Sequence, residues 1–308
     1  LHLLSRRQRQ MCIRDREWAT SSTFPKSDYV LKEGRPVGLV RGLTADGFYT
    51  TDDFTYENGV YTLKKGVADV SSAVFPNYHL HNGINERPAG QLAYPGMAKF
   101  KDLNDDGIIN DDDVDVIGDM TPVHTGGFNI NAIYKNFDLG LYFNWSYGNE
   151  IYNVNKLAAL YGYKEGAVYE NKLSIVKDCY KIYDVVNGEL VALTTPEQLN
   201  AANANAKLPL AYSENGYVST LGIEDGSYLR LNTLTLGYTL PKSILQKAGI
   251  SNLRVYGSIY NVFTITGYSG IDAEVSTSTS TKTYPQLGMD WGTYPRARSF
   301  VLGVNLSF

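Results

Sequence analysis

The sequence predicts an all-β protein: antiparallel strands of a large membrane-spanning β-barrel, with long loops at one rim and short turns at the other. Three observations carry this. The last residues alternate, placing Phe300, Leu302, Val304, Leu306 and Phe308 on one sheet face and Ser299, Gly303, Asn305 and Ser307 on the other, with Val301 the one apolar intruder. Such a strand suits a wall with lipid on one side and a wet lumen on the other. The same alternation recurs four times upstream, and the connections between runs alternate short and long, as barrels of this kind do.

In chain order, Leu1 to Arg16 comes first, with six basic residues counting His2 and no tyrosine. A secretory signal puts charge first and an apolar core next. This segment reverses that order, so residues 1–16 are expected to be foreign to the fold. The rest, 17–308, is expected to be the C-terminal portion of a barrel that begins inside a longer protein. Within it, 17–125 is expected to form an extracellular loop region and 126–308 the last strands and their loops.

Residues 102–113 hold the sharpest local motif. Counted from Asp102, side-chain oxygens fall at positions 1, 3, 5, 9 and 12 (Asp102, Asn104, Asp106, Asn110, Asp113), with Gly107 at 6 and the Ile108 carbonyl at 7. This is the spacing of a calcium loop. Eight aspartates crowd residues 102–119 with no basic residue among them, and a hard divalent ion would relieve their repulsion. A structural Ca2+ pinning the loop is therefore expected. Asp113 replaces the usual glutamate, and its shorter arm weakens bidentate ligation. The competing reading is a solvated acidic turn held by Asx-type hydrogen bonds.

The first two strands follow. Phe128, Ile130, Ala132 and Tyr134 oppose Asn129 and Asn131. After the tight hairpin Lys135-Asn136, Phe137, Leu139, Leu141, Phe143, Trp145 and Tyr147 oppose Asp138, Gly140, Tyr142, Asn144 and Ser146. A loop then runs from Gly148 to about Ser227, and Thr195-Pro196-Glu197-Gln198 should start a helix inside it. The third strand sets Leu234, Leu236, Tyr238 and Leu240 against Thr233, Thr235, Gly237 and Thr239. Pro241 to Ser251 should contain a short helical turn, capped from Ser243 and stopped at Gly249. The fourth sets Leu253, Val255 and Ile259 against Arg254, Tyr256, Ser258 and Tyr260, before a long loop to the final strand.

Composition is compatible. Mean hydropathy is −0.25 and no run of eighteen apolar residues occurs, which excludes a membrane helix. Twenty-four Tyr and 29 Gly suit interfacial girdles and turns. A net charge of −4 leaves no basic stripe for nucleic acid. Cys12 and Cys179 form no disulfide framework or metal spacing. No nucleophile elbow, zincin helix or P-loop is present, and His79-x-His81 is at most a loop pair, so no enzyme is expected.

Several stretches resemble the SusC/RagA-like TonB-linked outer-membrane transporters. They are Leu31 to Gly38, Asp46-Gly47-Phe48, the acidic run from Phe100 to Gly118, Gly226 to Tyr238, Asn261 to Glu274 and Tyr294-Pro295-Arg296-Ala297-Arg298. The resemblance covers roughly 27–308, and Ala273 stands where the family usually carries proline. It implies an outer-membrane importer with a plugged lumen and a SusD-like surface lipoprotein as lid. The cargo would be a glycan or a peptide, and TonB would act through a region outside this chain. Tyr152, Tyr161, Tyr163, Trp291 and Tyr294 are loop aromatics able to stack on sugar rings, although packing is the commoner role of each. The rival reading is a secreted module, either calcium-dependent and dockerin-like or a carbohydrate-binding β-sandwich. A dockerin carries two calcium segments, and one is present here.

Overall fold

The computed structural model describes residues 16–18, 28–72, 74, 87–161, 173–210, 218–245, 249–275, 287–292 and 294–308. Most of the segment 1–16, together with Cys12, His79, His81 and Tyr163, lies outside them. The chain divides into two compact units. One comprises Leu1–Asp119, Asn153–Ile223 and Ser278–Gln286, and the other Met120–Tyr152, Glu224–Thr277 and Leu287–Phe308.

The second unit is built on one sheet of five strands: β1 (His124–Tyr134), β2 (Phe137–Tyr147), β3 (Tyr228–Thr239), β4 (Asn252–Thr266) and β5 (Ser299–Ser307). They lie in chain order, each antiparallel to the next. All five runs read from the alternation are present, and β3 and β4 extend further than the alternation shows. The sheet is open among the described residues, with β1 and β5 at its edges.

Its two faces differ in chemistry rung by rung. One carries Ile130, Leu141, Leu234, Ile259 and Phe300 in a row, and beside it Ala132, Leu139, Leu236, Gly257 and Leu302. Aromatic pairs reinforce this face: the rings of Phe128 and Phe143 stack at 4.7 Å, and Phe137 meets Tyr238 at 4.7 Å. The other face carries Asn129, Tyr142, Thr233, Tyr260 and Ser299, then Asn131, Gly140, Thr235, Ser258 and Val301. Here Thr235 and Ser258 hydroxyls lie 2.8 Å apart. The apolar face is nevertheless exposed: Leu302 is 88% and Phe300 71% accessible. A water-soluble sandwich would bury that face.

A bulge keeps the faces consistent along β3. Leu231 pairs with Phe143 and Thr233 with Tyr142, leaving Asn232 as the extra residue. Leu229 and Leu231 therefore join Leu234, Leu236 and Tyr238 on the apolar side although the parity changes between them. Beside it, β4 absorbs its own irregularity at Asn261, whose φ is +54°.

On the polar face an ion pair spans three strands. Arg254 of β4 donates from Nε to Asp138 of β2 at 2.9 Å and makes a second, parallel bond through its other nitrogen. Gly237 of β3 lies between them, and a Cβ there would come within 2.4 Å of the Asp138 carboxylate. The missing side chain is what lets the pair cross the strand. The Arg254 guanidinium also sits 4.8 Å from the Tyr256 ring centre, and Tyr256 covers Gly303 of the neighbouring strand.

The short connections match their local signals. Lys135 takes φ +55° in the β1–β2 hairpin. The helical turn between β3 and β4 is Lys242–Leu245, and Gly249 has φ +68° after it. Its start corrects the expected cap at Ser243: the Pro241 carbonyl accepts from Ile244 N at 3.0 Å, so Ser243 lies inside the turn. Gln246 lies outside the described residues.

The first unit has its own core. A small antiparallel sheet joins Arg16–Trp18, Tyr29–Leu31, Leu39–Gly42 and Asp115–Asp119. The core gathers Leu43, Tyr49, Phe54, Tyr61, Phe100 and Ile109 with Tyr180, Ile182, Leu193 and Leu199. Part of the 148–227 stretch thus packs with residues from the first hundred or so. Tyr49 donates to the Ala68 carbonyl at 2.7 Å and Tyr61 to the Thr194 carbonyl at 2.9 Å. Burial pushes both phenols well above their ordinary range, so they remain donors. The helix expected from Thr195 is Pro196–Asn203, with Gln198 Oε1 accepting from Thr195 N and Thr195 Oγ1 accepting from Gln198 N.

Candidate functional site

Three motifs far apart in the chain meet at one end of the five-stranded sheet. Arg230 of β3, its side chain only 2% exposed, is the centre. Its Nε donates to Thr264 Oγ1 of β4 at 2.9 Å, one terminal nitrogen to Glu274 at 2.9 Å, and the other to Asp272. Arg296, from the segment preceding β5, reaches Glu274 at 3.1 Å and Asp272 at 3.9 Å. Two arginines and two carboxylates thus close a neutral frame that ties the loop after β4 to β3 and to the approach of β5. Each acid meets both cations. Around the frame, Tyr268 donates to Asp290 at 2.6 Å and Ser269 is held by Glu224 through backbone and hydroxyl at 2.8 Å each. Burial first, and the hydrogen bond to Asp290 second, push the Tyr268 phenol up.

Beside the frame lies a cavity of about 430 Å³, within the size range of small-molecule sites. Thr125, Asn144, Ser146, Asn149, Tyr228 and Glu274 supply its polar lining. Below it, Asn144 occupies the polar face between Gly127 and Arg230.

The acidic loop of the first unit is wound tightly. Asp102 accepts from Gly107 N at 2.8 Å and from Asp106 N at 3.3 Å; Asn104 Oδ1 accepts from Asp106 N at 2.9 Å; Asp106 Oδ1 accepts from Ile108 N at 2.8 Å. Asn110 accepts from Asp112 N at 2.7 Å and donates to the Ile108 carbonyl at 3.1 Å. Asp113 is fully buried, and its two oxygens accept from Leu103 N at 2.7 Å and Asn110 N at 2.8 Å. It staples the two ends of the loop together. Among the described residues no three His, Cys, Asp or Glu side chains stand grouped as a metal site.

Of the loop aromatics, Tyr152 is 1% exposed and serves packing rather than stacking, whereas Tyr294 is 88% exposed. The charge frame was not legible as a contact. Its members are conspicuous only as charged residues inside otherwise apolar or aromatic motifs: Arg230 after Tyr228-Leu229, Asp272 and Glu274 after Tyr268-Ser269-Gly270-Ile271.

A sheet with one exposed apolar face, one polar face, short turns at one end and a charge-framed loop cluster at the other has the pattern of part of a membrane β-barrel wall. No family model matches the sequence. The TonB-dependent receptor P3 of Formosa agariphila is 30% identical over 284 residues, covering 91% of this chain and 23% of the receptor. The TonB-dependent receptor SusC of Bacteroides thetaiotaomicron is 34% identical over 136 residues, 42% of this chain and 12% of SusC. The RagAB peptide importer in its closed-closed state shares the fold with a TM-score of 0.59 and 19% identity, over 95% of this chain and 25% of that one. The chain is SusC/RagA-like in sequence and fold, and the matches span about a quarter or less of the length of those relatives.

Proposed function

We propose that this chain supplies strands and outer loops to a TonB-dependent outer-membrane importer. The observation that supports this most directly is the rung-by-rung separation of apolar from polar residues across five strands, combined with similarity to TonB-dependent receptors over nearly the whole chain. In this reading the apolar face meets lipid, the polar face meets the lumen, and residues 17–125 lie outside the cell. A SusD-like surface lipoprotein is the proposed lid, and TonB the proposed source of mechanical work. The cargo is an oligosaccharide or a peptide; RagAB is a peptide importer. Deleting the gene in its native host should abolish growth on one such polymer, and the protein should fractionate with the outer membrane, requiring detergent for release. Recovery in the soluble fraction would sink the reading.

We also propose that a calcium ion is taken up by Asp102, Asn104, Asp106, Asn110 and the Ile108 carbonyl, with Asp113 holding the loop ends. The support is the ligand spacing and the turn geometry, in which Asp105 has φ +57° and Gly107 φ +85°. Calorimetric titration of calcium into chelator-treated full-length receptor should give a Kd on the order of 10⁻⁴–10⁻³ M, as in extracellular modules. Asp102→Ala should remove the heat. An absence of heat in the unaltered protein refutes the site.

A further inference from the structure

We infer that the short-turn rim of the five-stranded sheet is a docking surface for an anionic phospholipid, held by Lys135 and Lys242. This goes beyond the importer reading and rests on its placement of the apolar face in lipid. The first observation fixes the level of the headgroups. Tyr134 pairs with Phe137, and Phe137 with Tyr238, so these three rings close the apolar face at the rim. Tyr134 is 71% and Phe137 50% exposed. Aromatic rings at the end of an apolar band sit where hydrocarbon gives way to headgroups.

The second observation is a cation held at that level. Lys135, in the β1–β2 hairpin, places its Nζ 5.3 Å from the centre of the Tyr134 ring. Because that ring belongs to the apolar face, it keeps the ammonium at the lipid side of the rim. A second lysine lies on the adjoining turn. Thr239 N donates to the Asn136 carbonyl at 2.8 Å, which joins the β3–β4 turn to the hairpin, and the exposed Lys242 follows shortly after. On the same turn Ile244 is 60% exposed, an apolar side chain suited to the upper acyl chain.

The third is charge. Residues 134–137 and 239–251 include Lys135, Lys242 and Lys247 and no Asp or Glu. The acid that follows the hairpin, Asp138, is on the polar face and is already bound twice by Arg254. Among the described residues, Lys135 and Lys242 have no ion-pair partner. Lysines left unneutralised at headgroup level attract anionic lipid. A zwitterionic headgroup brings its own ammonium, which they repel. At the other end of the sheet the cations are engaged by the protein: Arg230 and Arg296 by Asp272 and Glu274, and Arg298 by the Asn261 and Val262 carbonyls. The attraction is therefore confined to the short-turn rim.

The test uses the full-length receptor in nonionic detergent, titrated with phosphatidylglycerol or with phosphatidylcholine and read by native mass spectrometry, which counts the lipids retained. Phosphatidylglycerol should be retained in preference to phosphatidylcholine, and the preference should shrink as ionic strength rises. Lys135→Gln and Lys242→Gln should each weaken phosphatidylglycerol binding by about fivefold, and the double variant by roughly twentyfold. Lys135→Arg should preserve it, and phosphatidylcholine binding should stay the same in every variant. Glycerol 3-phosphate in large excess should not displace the lipid, whose acyl chains hold it to the apolar face; displacement would show a soluble-phosphate site and overturn the inference. Heat-modifiable migration on gels verifies that each variant has folded. Equal retention of the two lipids, or a double variant that retains phosphatidylglycerol as the unaltered protein does, also overturns it. Because outer-membrane fractionation reports independently on the importer reading, a receptor that localises correctly but shows no such preference disproves the lipid site alone.

Discussion

Leu236→Arg is expected to destabilise the folded protein in a bilayer by about 2–4 kcal/mol, the cost of an arginine on the lipid face near the midplane of a barrel. Thr235→Arg, one residue away, is expected to cost far less. Leu236 lies in the rung with Ala132, Leu139 and Leu302, in the interior of the strand and half exposed. Thr235 points to the opposite face, beside Ser258, where the existing Arg254 shows that a guanidinium is accommodated when it finds a carboxylate. Urea midpoints after refolding the full-length receptor into lipid vesicles, read by heat-modifiable gel migration, measure the difference. Equal costs for the two variants would mean that neither face meets hydrocarbon.

The faces themselves are legible in the sequence because a strand writes its environment with a period of two, and each strand here is long enough for the pattern to exceed chance. The bulge is not. At Leu231-Asn232-Thr233-Leu234 the alternation slips by one residue, which reads as the start of a strand rather than its middle, so Tyr228 to Asn232 stay outside the run. The slip becomes informative only once Phe143 and Tyr142 are placed opposite Leu231 and Thr233. Gly237 is similar. Its place in the polar set is visible, but its reason, the room for Asp138 and Arg254 to meet, needs three strands in register.

The first unit is harder to read for a different reason. Its described strands are two to five residues long, too short to carry a period, and its core draws on positions near 50, 100 and 200 at once. Only signals that act within four residues survive there. The capping box at Thr195 is one. The Asp102–Asp113 spacing is equally local: its turn geometry follows from the sequence, whereas the burial of Asp113 follows from the packing around it.

Arg230→Met should be the most damaging single change at the loop cluster. Arg230 is nearly inaccessible, and Asp272, its closest partner, is 8% exposed. Removing the cation leaves Asp272 with Arg296 at 3.9 Å and a hydrogen bond from Glu274 N at 2.9 Å. Breaking one side of a buried pair typically costs about 3–5 kcal/mol, mostly because the surviving charge has lost its compensation. Glu274 contributes less, since it is 36% exposed and keeps Arg296 at 3.1 Å. Two contributions are separable by a double-mutant cycle. If the stranded Asp272 charge dominates, Arg230→Met combined with Asp272→Asn should recover much of the loss, whereas a packing origin predicts additive losses. Limited proteolysis reports where the damage falls. Cleavage should rise within the loop around Ile271 to Val275, while β3 and β4 stay protected, because eleven backbone pairings join those strands independently of the frame. Uniform loss of protection across both strands would show instead that Arg230 supports the wall itself rather than the loop above it.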